Sequence, residues 1–102
     1  MLLRQFREIA SEQVLLALAI HVKADATYVP VKDRESRRWH VQTTHGESEL
    51  ITTQAKWYDT RAKTGGGGAI DLAMHIMGVR FVDAVKILVK ELPRSAFPGA
   101  AP

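Results

Sequence analysis

Four consecutive glycines, Gly65 to Gly68, interrupt the 102-residue chain. Because glycine lacks a Cβ and loses much conformational freedom inside a helix or strand, such a run marks a boundary between elements. We interpret residues 63–68 as a loop between a strand and a helix. Either the glycines serve a tight turn with positive φ or close packing, or their N–H groups contact an anion such as a nucleic-acid phosphate.

Apolar residues at helical spacing occupy the N-terminal part of the chain. Leu3, Phe6 and Ile9 begin the pattern within residues 1–22. Because Ser11 is a favourable N-cap, we expect a short first helix and a second helix from about residue 11 to 21.

Two further helices are predicted after the glycines. The first covers residues 69–77 and ends at Gly78, and the second is amphipathic and runs from Phe81 to Leu92. Pro93 cannot continue a helix. We therefore expect one module over residues 1–92 and a disordered tail over 93–102.

The segment between the two pairs of helices is rich in β-branched and aromatic residues, which predicts strands. Four strands are expected, over residues 27–31, 38–43, 49–53 and 56–60. In the second strand, the alternation places Trp39, Val41 and Thr43 on one side and Arg38, His40 and Gln42 on the other. The predicted fold class is α+β, with a small antiparallel sheet of four or five strands and helices packed on one face.

The composition limits the range of functions. The length excludes a two-domain enzyme with a cofactor fold. No apolar run approaches the roughly 20 residues of a membrane span, and the N-terminus lacks the order of a signal peptide, so we expect a cytoplasmic protein without a membrane partner. The net charge of +3 is a mild bias that permits nucleic-acid binding.

The residue types that commonly act in catalysis or bind metals do not occur here at the spacings typical of such sites. There is no cysteine, and the four histidines are scattered along the chain. The serines lie in no context typical of a nucleophile. We therefore expect no enzymatic activity, no bound metal and no cofactor.

Basic and aromatic residues cluster in and around the second and fourth predicted strands. Lysine and arginine neutralise phosphates, and aromatic rings stack on unpaired bases. The candidate phosphate contacts are Arg37, Arg38, Lys56, Arg61 and Lys63, and the candidate stacking residues are Trp39 and Tyr58. In the alternative interpretation, Trp39 and Trp57 are core residues and the charges only solvate the sheet edge.

The stretch from Trp57 to Leu72, with its aromatic strand, glycine run and Ala69-Ile70-Asp71-Leu72, resembles the N-terminal zinc-binding domain of bacterial-type DNA primases. The likeness covers roughly residues 12–92, by alignment of predicted elements. Its further matches are Tyr28 as the opening of a strand, the strand Glu49 to Thr52, and the helix within Gly78 to Leu88.

The positions of the family's zinc ligands are occupied here by residues that do not bind zinc, namely Thr60, Lys63, Trp39 and Gln42. The resemblance therefore implies a zincless relative of the kind found on mobile elements. It implies a non-catalytic accessory module that binds single-stranded DNA, or RNA, in replication, priming or mobile-element transfer, with a primase or helicase as partner. In the alternative, the chain is an adaptor that docks on a primase, helicase or relaxase without contacting nucleic acid.

Overall fold

A five-stranded antiparallel sheet carries the helices of this protein on one face. The computed structural model describes residues 3–97. Each strand pairs with the next along the chain. The strands are β1 (His21–Ala24), β2 (Arg37–Gln42), β3 (Glu47–Thr53), β4 (Lys56–Asp59) and β5 (Thr64–Gly67). The predicted fold class is confirmed.

Two helices precede the sheet and two follow it. They are α1 (Leu3–Glu8), α2 (Ser11–Leu18), α3 (Ala69–Met77) and α4 (Phe81–Glu91), followed by a 3₁₀ turn at Arg94–Ala96. As predicted, α3 ends at Gly78, whose φ of 63° is the left-handed conformation that glycine adopts most readily. Within residues 3–97, no helix is long and apolar enough to cross a membrane.

One apolar core joins the helices to the sheet. Its strand residues are Trp39, Val41, Leu50 and Trp57, and they meet buried residues from all four helices, among them Phe6, Leu15, Leu72 and Leu88. Each fully buried side chain of this kind contributes about 1.5–3 kcal/mol. A hydrogen bond also ties α3 to the segment that follows β2, because the Thr43 hydroxyl donates to the Ile76 carbonyl at 2.7 Å.

The second helix is shorter than the sequence pattern predicts. It ends at Leu18 rather than at residue 21, and β1 begins at His21. The Ile20 N–H donates to the Gln42 carbonyl at 2.8 Å, and Val22 faces Val41 across the sheet. Pairing with β2 has therefore overridden the local helical periodicity.

The strand predicted over residues 27–31 is absent, and this segment lies in the long connection between β1 and β2. The Asp25 carboxylate accepts hydrogen bonds from the N–H and the hydroxyl of Thr27, which turns the chain away from the sheet. Tyr28 consequently does not open a strand, and Val29 and Val31 are exposed.

The glycine run is a strand where a loop was predicted. Residues 65–67 lie in β5 and pair with β4, with Gly66 opposite Trp57. The positive φ expected in this run is present at Gly68, at 91°. Gly66 provides the close packing, because a Cβ there would collide with the Asp71 carboxylate.

The predicted tail begins with packed structure. The Phe97 ring packs edge-to-face against Phe6, with ring centroids 5.4 Å apart. Residues 98–102 lie outside the described residues.

Candidate nucleic-acid interface

The face of the sheet that points away from the helices is open. Side chains alternate along a strand, so the neighbours of the buried strand residues point to this second face. We call it the outer face, and its residues include Lys23, Arg38, His40, Glu49, Ile51, Lys56 and Tyr58. None of these seven residues is buried. The outer face is therefore accessible to a ligand.

Tyr58 lies in a row of residues that crosses the outer face. The register aligns Arg38 with Ile51, Ile51 with Tyr58, and Tyr58 with Gly65. Gly65 leaves room for the ring, because a Cβ there would stand 2.9 Å from Tyr58 Cδ1. Tyr58 is 45% exposed. With strands about 4.8 Å apart, the Arg38 and Tyr58 backbones are separated by about 10 Å.

Two of the predicted phosphate contacts are lysines near Tyr58. Lys56 lies two residues before Tyr58 on the same face, and Lys63 lies in the turn between β4 and β5 with a φ of 57°. Both are exposed, and the structure gives neither an ion pair within residues 3–97. Their ammonium groups are available to an anion.

Two of the predicted arginines are paired with a carboxylate of the outer face. Glu49 lies 3.6 Å from Arg38 Nε and 3.3 Å from Arg61 Nη2. The same carboxylate is 2.9 Å from His40 Nδ1. The sequence predicts that Arg38 and Arg61 contact phosphates, but it does not show that Glu49 already pairs with both of them. A phosphate that binds either arginine must displace Glu49 from it.

His40 lies between two carboxylates. Its Nδ1 is 2.9 Å from Glu49 and its Nε2 is 2.9 Å from Glu47. Since carboxylates only accept hydrogen bonds, both ring nitrogens donate when His40 is protonated. The hydrogen bonds with Glu49 and Glu47 raise the pKa of His40. The hydrogen bond with His40 lowers the pKa of Glu49 despite partial burial, and Arg38 and Arg61 lower it further.

We expect this cluster to make stability depend on pH. Because the pKa of His40 is raised in the folded state, its contribution is fully present below the ordinary histidine pKa of about 6.5 and is lost as the pH rises through the folded value. Melting temperatures of the wild type and His40→Gln, measured between pH 5.5 and about 8.5, should differ most at the acidic end. A constant difference across this range would contradict the prediction.

The second predicted stacking residue is in the core. Trp39 is 7% exposed, and its Nε1 donates to the Thr52 hydroxyl at 2.9 Å. Its ring presents no face to a base. Trp57 is also buried and stacks on His75 with ring centroids 4.7 Å apart. For both tryptophans, the structural interpretation is the correct one.

Arg37 lies apart from the outer face. It is adjacent to Arg38 in β2 and therefore points to the opposite side of the sheet, at the exposed end of the strand. Arg37 therefore does not belong to the row of outer-face residues that contains Tyr58.

A buried carboxylate holds the turn between β4 and β5. Asp59 is 3% exposed, and its Oδ1 accepts hydrogen bonds from the N–H groups of Arg61 and Ala62. Its Oδ2 lies 2.7 Å from His75 Nε2. Burial raises the pKa of Asp59, but the hydrogen bonds from Ala62, His75 and Arg61 outweigh burial and leave it below its ordinary value.

The Asp59–His75 pair fastens α3 to the β4–β5 turn. Thr60 and Lys63, which the resemblance to the primase domain aligns with its paired cysteines, lie in this turn. Across residues 3–97, no group of three or more histidines and carboxylates is arranged to hold a metal.

An anion site at the glycine run is disfavoured by the chain itself. The Asp71 carboxylate accepts the Gly67 N–H at 3.0 Å, just before α3. A carboxylate at this position repels a second anion. The candidate site is therefore the outer face.

Fold and outer face together define a small α+β module with one covered and one open sheet face. No protein-family model matches the chain, and comparisons with curated proteins and with solved structures found no match either.

Proposed function

We propose that the outer face binds single-stranded nucleic acid, with Tyr58 stacking on a base. The observation that carries this proposal is the half-exposed Tyr58 ring, which lies on the open face of the sheet beside Gly65, a residue without a side chain. Base stacking on an aromatic residue requires an accessible ring, and this position provides one. Lys56 lies two residues before Tyr58 on the same face and supplies a positive charge for a neighbouring phosphate.

Charge on the outer face supports the same proposal. Arg38 and Arg61 are held by Glu49 in ion pairs that are partly exposed to solvent. Such pairs contribute only about 0–1 kcal/mol each. Arginine also forms bidentate hydrogen bonds with phosphate. A phosphate that displaces Glu49 from either guanidinium therefore gives up little ion-pair energy, but Glu49 must move away because it repels the phosphate.

The biological role in this proposal is that of a non-catalytic accessory module for DNA replication, priming or mobile-element transfer. It is supported by the resemblance of residues 57–88 to the primase zinc-binding domain. The ligand is single-stranded DNA, or RNA, and a primase or helicase is the protein partner. A cytoplasmic location belongs to the same proposal, because the DNA that it would bind is there.

Substitution of Tyr58 tests the stacking contact. We expect Tyr58→Ala to weaken binding of a fluorescent oligothymidylate by about 1–3 kcal/mol, or roughly 5- to 150-fold. Phe81→Ala is the matched control, because Phe81 is also an aromatic residue with 45% exposure but lies on α4. Anisotropy titrations at about 50 mM salt measure both affinities. Equal affinity of Tyr58→Ala and wild type, with both proteins folded, would contradict the proposal.

An adaptor is the second candidate, and α4 favours it. Val82 and Val89 are 60% and 58% exposed, and Val85 between them is partly buried, so they form an apolar stripe on the solvent side of the helix. If the wild type does not bind the oligonucleotide at tens of micromolar protein and about 50 mM salt, direct nucleic-acid contact must be abandoned. Docking through α4 would then be the function to test.

A further inference from the structure

Three arginines line a single cavity at the base of the connection between β1 and β2. The cavity has a volume of about 260 Å³, and its polar lining comes from Asp25, Tyr28, Arg34, Ser36, Arg37 and Arg38. Three of these residues are arginines and one, Asp25, is acidic. Basic residues therefore outnumber acidic residues in the lining.

Apart from the arginines, two polar residues of the lining already form hydrogen bonds within the protein. Asp25 Oδ1 accepts two hydrogen bonds from Thr27, and the Ser36 hydroxyl is 2.6 Å from the Thr53 hydroxyl. Arg38 Nε is 4.0 Å from Asp25 Oδ2. In contrast, the structure gives the Arg34 and Arg37 side chains no ion pair or hydrogen bond anywhere in residues 3–97.

Local hydrogen bonds order the loop that carries Arg34. Asp33 Oδ1 accepts the Glu35 N–H at 2.9 Å, and the Ser36 N–H donates to the Asp33 carbonyl at 3.0 Å. Arg34 lies inside this turn, and Arg37 begins β2 directly after it. The two arginines with no partner are thus presented by a turn and a strand end whose backbones are already fixed, which reduces the entropy lost when a ligand binds.

We propose that this arginine cavity binds a phosphate group of the nucleic-acid strand whose base stacks on Tyr58. Planar guanidinium groups match the geometry of phosphate oxygens. A volume of about 260 Å³ has room for a phosphate group. The inference rests on the proposed function, because it assigns the cavity to the same ligand.

Arg38 connects the cavity to the outer face. It lines the cavity and also belongs to the cross-strand row that contains Tyr58, about 10 Å away across two strand spacings. A strand that lies across the sheet from Tyr58 toward β1 therefore reaches the cavity by way of Arg38. The path runs across the strands rather than along them.

The double variant Arg34→Ala/Arg37→Ala tests the cavity. Both side chains are exposed, so the fold should tolerate the change, which a melting curve verifies. We expect oligothymidylate binding to weaken by about tenfold or more, the scale of a charge-assisted hydrogen bond. The slope of log affinity against log salt should fall by about 0.7 for each phosphate that the protein no longer neutralises. Arg4→Ala/Arg80→Ala removes the same charge at exposed positions outside the cavity and is the control.

Titration with inorganic phosphate separates this inference from the proposed function. Amide shifts of Arg34 and Arg37 in the wild type, absent with sodium chloride at equal ionic strength, would support a phosphate site. If both double variants bind the oligonucleotide equally, or if phosphate leaves these amides unmoved, the inference is overturned while Tyr58→Ala still judges the proposed function. If inorganic phosphate binds but the oligonucleotide does not, two claims are overturned together: the proposed function, and the inference that the cavity and Tyr58 bind one nucleic-acid strand.

Discussion

Gly66→Ala is expected to lower the free energy of unfolding by about 1–3 kcal/mol, the usual cost of overpacking a filled site. Gly66 lies in β5, opposite Trp57 of β4, where α3 approaches the sheet. A Cβ at this position would collide with the Asp71 carboxylate and stand 3.1 Å from Trp57 Cζ2. Since Trp57 is buried, the ring has little room to move. Urea denaturation of the variant and the wild type measures the difference.

The neighbouring glycines provide matched controls. Gly67→Ala should cost least, because the nearest atom to a Cβ there, the Ala55 carbonyl oxygen, is 3.9 Å away. Gly68→Ala should cost about 1–3 kcal/mol for a different reason, because its φ of 91° and ψ of 154° suit glycine alone. Equal stability of all three variants would show that neither close packing nor backbone conformation constrains the glycine run.

The elements that sequence predicted well are those in which local pattern and tertiary packing agree. Helix α3 has an apolar face and Gly78 at its end, so its bounds at Ala69–Met77 follow from local rules. The alternation of Trp39 and Val41 with polar neighbours likewise gave the correct faces of β2. In both cases, the residues that decide the structure lie close together in the chain.

The first strand was missed because it depends on distant partners. His21–Ala24 follows a helix and shows no strong strand pattern, and its only visible reason to be a strand is its pairing with β2. Thr27 to Val31 has the higher β-propensity, but the turn at Asp25 and the proline within the segment keep it out of the sheet. Propensity alone therefore selected the wrong segment.

The candidate site was only partly predictable, for a geometric reason. Adjacent residues in a strand point to opposite faces, so Arg38 and Trp39 cannot serve one surface together. The pairing of Arg38 and Arg61 with Glu49 was also hidden, because only the register of β2, β3 and β4 brings these charges together. Tyr58 could be proposed from sequence, but its exposure required the fold.

Removal of the Asp59 carboxylate is expected to have the largest effect on stability. Asp59→Ala leaves the N–H groups of Arg61 and Ala62 without their acceptor and takes the partner from His75. Leaving a buried hydrogen-bonding group without its partner costs about 1–3 kcal/mol, and this substitution removes the acceptor of three groups at once. Asp25→Ala is the control, because Asp25 makes the same kind of turn with Thr27 but is exposed, so its loss should cost far less. Urea denaturation near pH 7 compares the two variants.

The charge of Asp59 adds a dependence on pH that separates it from a merely polar turn residue. Its pKa is lowered in the folded state, so the stabilisation is present above the ordinary aspartate pKa of about 3.9 and is lost as the pH falls through the folded value. Asp59→Asn keeps an oxygen acceptor for the turn but removes the charge beside His75. The stability difference between wild type and Asp59→Asn should therefore be full at neutral pH and shrink below about pH 4. If the difference stays constant down to the acid transition, the carboxylate acts through shape alone, and its negative charge does not stabilise the fold.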